Sequence, residues 1–456
     1  MRDWEPDLND EPLASTTTAN KARQLNPPII LAIGFLLLIL SGTVVLKLPI
    51  VANHPVTWME ALFTATSAVT VTGLLTIDIS AYFNIYGQVI ILFLIQAGGL
   101  GFMTFAVVGA TMLGARLGMG QQRLAQEAFN EISLDNVTRI AKTVLLYSLV
   151  IEAFGIIWLV GIWSDEMSLA QALYQSTFYA ISAFNNAGFA LGPNSLVPYA
   201  SDIGVNLVIS ALFIIGGIGF SVLIDLNHKR SWSKLQTNTR IILLATLYLN
   251  LIAFLLIWII ESQNPATLGA MSLKDQVLAA WFQATAPRTA GFNTIPMEQM
   301  KNTSIILILF LMFVGGGSLS TASGIKIGSC VVILMTTVAF LRKQEDITVL
   351  NRTIPIRQVM KAIAIVVCYV LLMFLGIFIL DLTEEARFLD ILFEVISALS
   401  TVGLSRGLTT HLSPAGQFVM ILLMIAGRLG PLTLAYTLAK PNRSRVRYAE
   451  ANIQVG

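Results

Sequence analysis

Four short stretches decide how this sequence folds: Thr70-Val71-Thr72-Gly73-Leu74, Asn185-Asn186-Ala187-Gly188-Phe189, Arg288-Thr289-Ala290-Gly291-Phe292 and Ser400-Thr401-Val402-Gly403-Leu404. Each follows a short apolar segment whose aromatic residue lies ten positions before the glycine: Phe63, Phe178, Trp281 and Phe393. The four glycines fall 115, 103 and 112 residues apart. A second set comes 24 to 29 residues further on, as Gly98-Gly99, Gly216-Gly217, Gly315-Gly316-Gly317 and Gly427 with Gly430. Agreement at this period in four copies is the signature of an internal repeat. Each unit reads as a long apolar helix, a shorter helix, a loop of small residues and a second long helix.

The surroundings of these stretches are those of a membrane protein. The 456 residues are 55% hydrophobic and 12% charged, with a mean hydropathy of +0.75. A soluble domain carries about a quarter charged residues. Runs such as 29–40, 241–260 and 362–380 are apolar, and about 20 such residues cross about 30 Å of hydrocarbon as a helix. The short helices have only about a dozen residues before their glycine, which is too few to cross. They read as re-entrant, and irregular backbone at that depth must line a wet cavity or be buried in protein. The expected fold is an all-α integral membrane protein of four pseudo-fourfold repeats, each helix–pore helix–helix, with eight transmembrane helices around a central pore. The repeats span 27–113, 138–226, 238–341 (with an interrupted last helix) and 356–440, with polar tails at 1–26 and 441–456.

Charge gives the orientation. The tails and the loops between repeats hold most of the 28 Lys and Arg, among them Arg116, Arg123, Lys229, Arg230, Lys234, Arg342, Lys343, Arg357, Lys440, Arg443 and Arg445. The loops flanking the short helices hold few: Lys47, Lys274, Lys301, Arg387 and Arg406. The basic side is expected to be cytosolic, with both termini inside and the glycine loops facing out. The acidic tail 1–26 has the wrong order for a signal peptide.

The glycines fit cation chemistry. Rings of backbone carbonyls replace the hydration shell of a permeating ion, and aiming successive carbonyls inward needs angles that glycine adopts most easily. A short helix pointing its C-terminus at the pore adds partial negative charge. The residues before each glycine differ among copies, so side-chain recognition would be lopsided. The candidate ion ligands are therefore the backbone carbonyls of Val71, Thr72, Gly73, Asn186, Ala187, Gly188, Thr289, Ala290, Gly291, Thr401, Val402 and Gly403. The plainer alternative is that these glycines permit tight turns or close helix packing.

The third outgoing helix is interrupted by Gly315-Gly316-Gly317-Ser318-Leu319-Ser320-Thr321-Ala322-Ser323-Gly324. Each interior glycine costs a helix about 1 kcal/mol relative to alanine, so unwinding is expected here, while the other three outgoing helices are expected to be continuous. The segment is either a gate or a packing kink where helices meet through small residues. A phosphate-binding loop is excluded, because no Gly-Lys-Ser/Thr closes it. Arg428 lies in the last span, where an arginine faces the bundle interior or a cavity. A structural reading is that it pairs with a carboxylate, for which Glu152 and Glu394 are the available intramembrane acids. Arg288 is expected behind its loop, and Lys326 near the cytosolic mouth. Cys330 and Cys368 have no metal-ligand spacing, and His54, His228 and His411 are placed in loops, so no enzyme site assembles. A secondary transporter with midplane carboxylates between inverted repeats is disfavoured by repeats that all run the same way.

Taken together, the four loops and the fourfold arrangement resemble the Trk/Ktr/HKT superfamily of potassium transporters from about residue 27 to 440. The short chain and interrupted sixth span are most like the Ktr-type pore subunits. The resemblance implies a potassium-selective pore of a bacterial inner membrane, since the four glycines are present where sodium-favouring plant relatives carry a serine in the first. It implies that the 315–324 segment, with Gly315, Gly316, Gly317, Ser318, Ser320, Thr321, Ser323 and Gly324, is a gate beneath the filter, and that Arg428 lies near it and restrains the ion path as a positive barrier. It further implies a homodimer on a ring of cytosolic nucleotide-binding regulatory subunits. Sodium as an activating or coupled ion, including a sodium-coupled symporter, stays open. Basic loops fit lipid contact, and no nucleic-acid partner or resident cofactor is expected.

Overall fold

The computed structural model describes residues 27–101 and 137–430. The tails 1–26 and 441–456, and with them Arg116, Arg123, Lys440, Arg443 and Arg445, lie outside the described residues. The longer helices are α1 (Pro27–Leu46), α2 (Trp58–Val69), α3 (Ile85–Gly99), α4 (Val137–Trp163), α5 (Leu169–Phe184), α6 (Ile203–Ile218) and α7 (Phe220–His228). There follow α8 (Thr237–Glu261), α9 (Leu273–Thr285), α10 (Asn302–Phe313), α11 (Ile327–Leu341), α12 (Ile356–Thr383), α13 (Phe388–Ser400) and α14 (Pro414–Leu429). A minimal hairpin, Thr348–Val349 with Arg352–Thr353, departs from the all-helical expectation. Its turn residues Leu350 and Asn351 both have positive φ, as a two-residue hairpin turn requires. His228 closes α7 rather than lying in a loop.

Three helices are long and apolar enough to cross a membrane alone, at Ile140–Trp163, Thr237–Glu261 and Ile356–Thr383. Their outward faces are apolar, with Ile157, Ile252, Leu371 and Phe378 exposed, the surface that hydrocarbon covers. Shorter apolar helices occupy Ala32–Leu46, Ile85–Gly99, Asn302–Phe313, Ile327–Leu341 and Pro414–Leu429. The chain is an integral membrane protein.

The outgoing helices are short because glycines stop them. α6 ends at Gly219, with φ +103°, and α7 leaves at 92° to it. This corrects the expectation that only the third outgoing helix breaks. α3 and α14 stop in the same way before Gly101 (φ +84°) and Gly430 (φ +85°). In each case a second glycine three residues earlier touches the end of a short helix. A Cβ on Gly98 would lie 1.9 Å from the Val69 carbonyl, on Gly216 2.0 Å from that of Phe184, and on Gly427 2.0 Å from that of Leu399. Those carbonyls each lie four residues before a loop glycine, so this close approach is what the second glycine signal encodes.

The third repeat departs by one residue. In the other three, the residue before the loop glycine donates its N–H five residues back: Thr72 to Ser67, Ala187 to Ser182 and Val402 to Ser397, each at 2.8 Å. Ala290 instead donates four residues back, to Ala286 at 2.9 Å. The buried aromatic shifts accordingly. Phe63, Phe178 and Phe393 are buried, but in the third repeat Phe282 takes that place and Trp281 turns toward Phe254. An alignment without gaps misplaces this helix by one position.

Gly427→Ala is expected to lower stability by about 1–3 kcal/mol, because the methyl meets main chain that cannot yield. A reduced unfolding midpoint of the detergent-purified protein checks this. Gly161→Ala, where a Cβ meets nothing within 4 Å, is the control and leaves the midpoint level or higher.

Candidate pore and the segment beneath it

α2, α5, α9 and α13 each run C-terminus first into one of the four glycine loops. Their backbones share one alternation. Val71, Asn186, Thr289 and Thr401 are left-handed, with φ of 50°, 58°, 70° and 50°, and so are Gly73, Gly188, Gly291 and Gly403, with φ of 93°, 70°, 74° and 92°. Left-handed residues two apart hold successive carbonyls on the same side of the chain, which a valine or threonine adopts only under strong constraint.

The four loops meet in a closed ring. A Cβ on Gly73 would lie 2.5 Å from the Ala187 carbonyl oxygen, and on Gly188 2.7 Å from Gly291 Cα. A Cβ on Gly291 would lie 2.6 Å from the Val402 oxygen, and on Gly403 2.1 Å from the Thr72 oxygen, which returns to the first loop. The structure thus brings together the four loops that carry the twelve residues singled out from the sequence.

Hydroxyls behind the ring, which the sequence reading missed, fix two of the glycines. Gly73 N donates to Ser67 Oγ at 3.0 Å and Gly403 N to Ser397 Oγ at 3.2 Å, while Ser182 Oγ donates to the Phe189 carbonyl at 2.8 Å. Their signal is a serine six residues before the glycine. Thr285 holds that position in the third repeat, but its hydroxyl returns to Trp281 and Phe282 of its own helix, as the one-residue shift requires.

Glu152 and Glu394 also stand behind loops. Glu394 accepts from Ser405 Oγ at 2.5 Å, Thr409 Oγ1 at 2.5 Å and Arg406 N at 3.0 Å. Glu152 accepts from Gln96 Nε2 and Asn185 Nδ2, both at 3.2 Å.

A cavity lies on either side of the ring. The one of about 610 Å³ is lined by the four glycines together with Asp78 and Glu298, its only charged lining residues among those described. The other, of about 300 Å³, holds Lys326 and Arg428 as its only charged residues among those described, beside Leu319, Ser320 and Ser323. One mouth is therefore acidic and the opposite side basic.

The 315–324 segment closes the basic side against the break between α6 and α7. Gly317 N donates to the Gly217 carbonyl at 2.8 Å, Thr321 N to Gly216 at 3.3 Å, and Phe220 N to Leu319 at 2.8 Å. The backbone groups freed by the α6 break are thus satisfied by the segment, as burial demands. Arg428 bonds main-chain carbonyls and one hydroxyl, and neither of the two candidate carboxylates. Nη1 donates to the Thr321 carbonyl at 2.5 Å and Ser323 Oγ at 3.2 Å, and Nη2 to Gly99 at 2.9 Å and to Gly98. Arg288 holds the other end, donating to Asn250 Oδ1 at 3.1 Å and, at 3.4 Å each, to Thr246 Oγ1 and the Gly315 carbonyl. Lys326 Nζ donates to the Ala322 carbonyl at 2.5 Å.

Residues 11–447 match the family model of TrkH, a cation transport protein. The chain belongs to the TrkH family. This is a family of transport proteins and not of enzymes. Among similar chains, Ktr system potassium uptake protein B of Bacillus subtilis is 45% identical over 95% of this chain and 97% of its own length. The protein of the same name from Vibrio alginolyticus is 40% identical over 96% of each chain. The potassium/sodium uptake protein NtpJ of Enterococcus hirae is 33% identical over 95% of this chain and 98% of its own. The crystal structure of the potassium transporter TrkH from Vibrio parahaemolyticus has this fold, with a TM-score of 0.74 over 93% of this chain and 86% of that one, at 19% identity.

In this TrkH-family chain, Ser67→Ala and Ser397→Ala each strand a glycine N–H behind the ring. Each is expected to lower stability by about 1–3 kcal/mol and to weaken discrimination among transported cations. Thr285→Ala is expected to change discrimination least of the three, and thermal unfolding with cation competition checks the order.

Proposed function

We propose that the chain is the pore-forming subunit of a potassium uptake system of the bacterial inner membrane, with four helix–pore helix–helix repeats and eight spans around one selectivity filter. The observation that carries this reading is the closed ring of four left-handed glycines. At each of the four a Cβ would lie 2.1–2.7 Å from the main chain of the neighbouring loop, so the loops approach more closely than any side chain allows. Potassium enters through the names of the Bacillus and Vibrio relatives, which cover nearly the whole chain. The ion ligands are the carbonyls of the twelve loop residues. Dehydrating a cation there is offset by fixed dipoles and by the C-terminal ends of four short helices.

Orientation follows from charge. The acidic cavity faces outside, where it concentrates cations, and both termini are cytosolic. The 315–324 segment is the gate, and Arg428 and Lys326 add a positive barrier on its inner side. Sodium is an activating or coupled ion in this reading, in keeping with the Enterococcus relative's name. The working assembly is a homodimer on a cytosolic nucleotide-binding regulatory subunit, in contact with membrane lipid.

The test is potassium uptake by cells that lack their own uptake systems, with and without sodium. Gly291→Ser puts a Cβ 2.6 Å from the Val402 carbonyl, and uptake is expected to weaken at normal membrane levels. Unchanged uptake would mean that the glycines are packing elements. Deleting residues 316–323 is expected to raise cation flux, and flux equal to the parent's would remove the gate.

A further inference from the structure

The hydrogen bonds of Thr321 reach in two directions. Its carbonyl is held by Arg428 on the side of the basic cavity. Its hydroxyl reaches the glycine ring, where its one hydrogen is shared between Asn186 Oδ1 at 2.8 Å and the Phe184 carbonyl at 3.2 Å. Asn186 is one of the left-handed loop residues, and only 1% of its surface is exposed. Its Nδ2 in turn approaches Thr289 Oγ1 at 3.4 Å, on the equivalent left-handed residue of the next loop. One buried carboxamide thus bridges the second and third loops, and its oxygen is oriented by a hydroxyl from the 315–324 segment. Gly216 makes the approach possible, since a Cβ there would lie 2.9 Å from Thr321 Oγ1 and 3.0 Å from Asn186 Oδ1.

We infer that Thr321 is a positioning residue for ion selectivity, which couples the seat of the 315–324 segment to the geometry of the second and third loops. The inference rests on the filter and gate roles proposed above. Withdrawing the segment strands a buried amide oxygen, which must find another donor or move. The ring therefore keeps its most discriminating shape while the segment is seated. By linkage, an ion that fits this shape favours the seated state to the same extent that seating favours the ion.

The experiment compares the parent with Thr321→Val, Thr321→Ser and the deletion of 316–323. Potassium and sodium binding to each purified full-length protein is measured by isothermal titration, beside uptake competition in cells. Valine keeps the volume and loses the hydroxyl. The potassium-to-sodium binding preference is expected to fall about two- to tenfold in Thr321→Val, the worth of one hydrogen bond. It is expected to fall in the deletion too, and to recover in Thr321→Ser. An undiminished preference in Thr321→Val, or in the deletion should the valine variant misfold, overturns the inference even if flux rises. An equal fall in Thr321→Ser overturns it as well, because packing and not the hydroxyl would then be responsible. A parent protein that takes up no potassium would defeat the function proposed above, whereas the binding comparison alone decides the coupling.

Discussion

The constraint on which this structure depends is steric. Four backbone turns meet so closely that each glycine hydrogen points at the main chain of its neighbour, at distances no Cβ could occupy. Everything nearby serves that approach. Short helices deliver the loops, serine hydroxyls satisfy two of the glycine N–H groups from behind, and buried carboxylates bind loop hydroxyls and amides. Left-handed valine and threonine cost of order 1–3 kcal/mol each and persist only where their surroundings over-determine them.

A second layer of close contacts surrounds the first. In three repeats a glycine lets the outgoing helix rest on a carbonyl at the end of a short helix, and a second glycine three residues later turns the chain away. The third repeat breaks both rules. Its short helix is one residue out of register, and its outgoing helix gives way to the 315–324 segment, which fills the break of the second. The asymmetry of the molecule is thus concentrated between the second and third repeats, where Arg288, Thr321 and Asn186 also converge.

The two arginines act through geometry that few other side chains could reproduce. A guanidinium offers five donors in a fixed fork, and Arg428 uses it to join the end of α3 to the far end of the segment. Arg288 joins α8 to its near end. Neither relies on a carboxylate, so both charges answer to carbonyl dipoles, and the segment is held at its two ends by bonds that a rigid shift would break together.

The sequence by itself determined the membrane setting, the positions of the short helices, the four loop glycines and the interruption at 315–324. These are local properties: apolar length, helix-breaking composition and a repeat whose spacing survives in the chain. Tertiary structure alone decided the rest. That Gly73 abuts Ala187, and that Gly403 closes back on Thr72, depends on loops more than a hundred residues apart. The one-residue shift at Ala286 left the spacing of Trp281 and Gly291 intact while moving the buried aromatic to Phe282. The break at Gly219 was masked because Ile218 and Phe220 keep the run apolar, and its freed carbonyls needed the 315–324 segment as a partner. Arg428 could be placed inside the bundle from the price of a charge in hydrocarbon. Its choice of carbonyls over Glu152 or Glu394 followed from which groups the packed helices left unsatisfied within its reach.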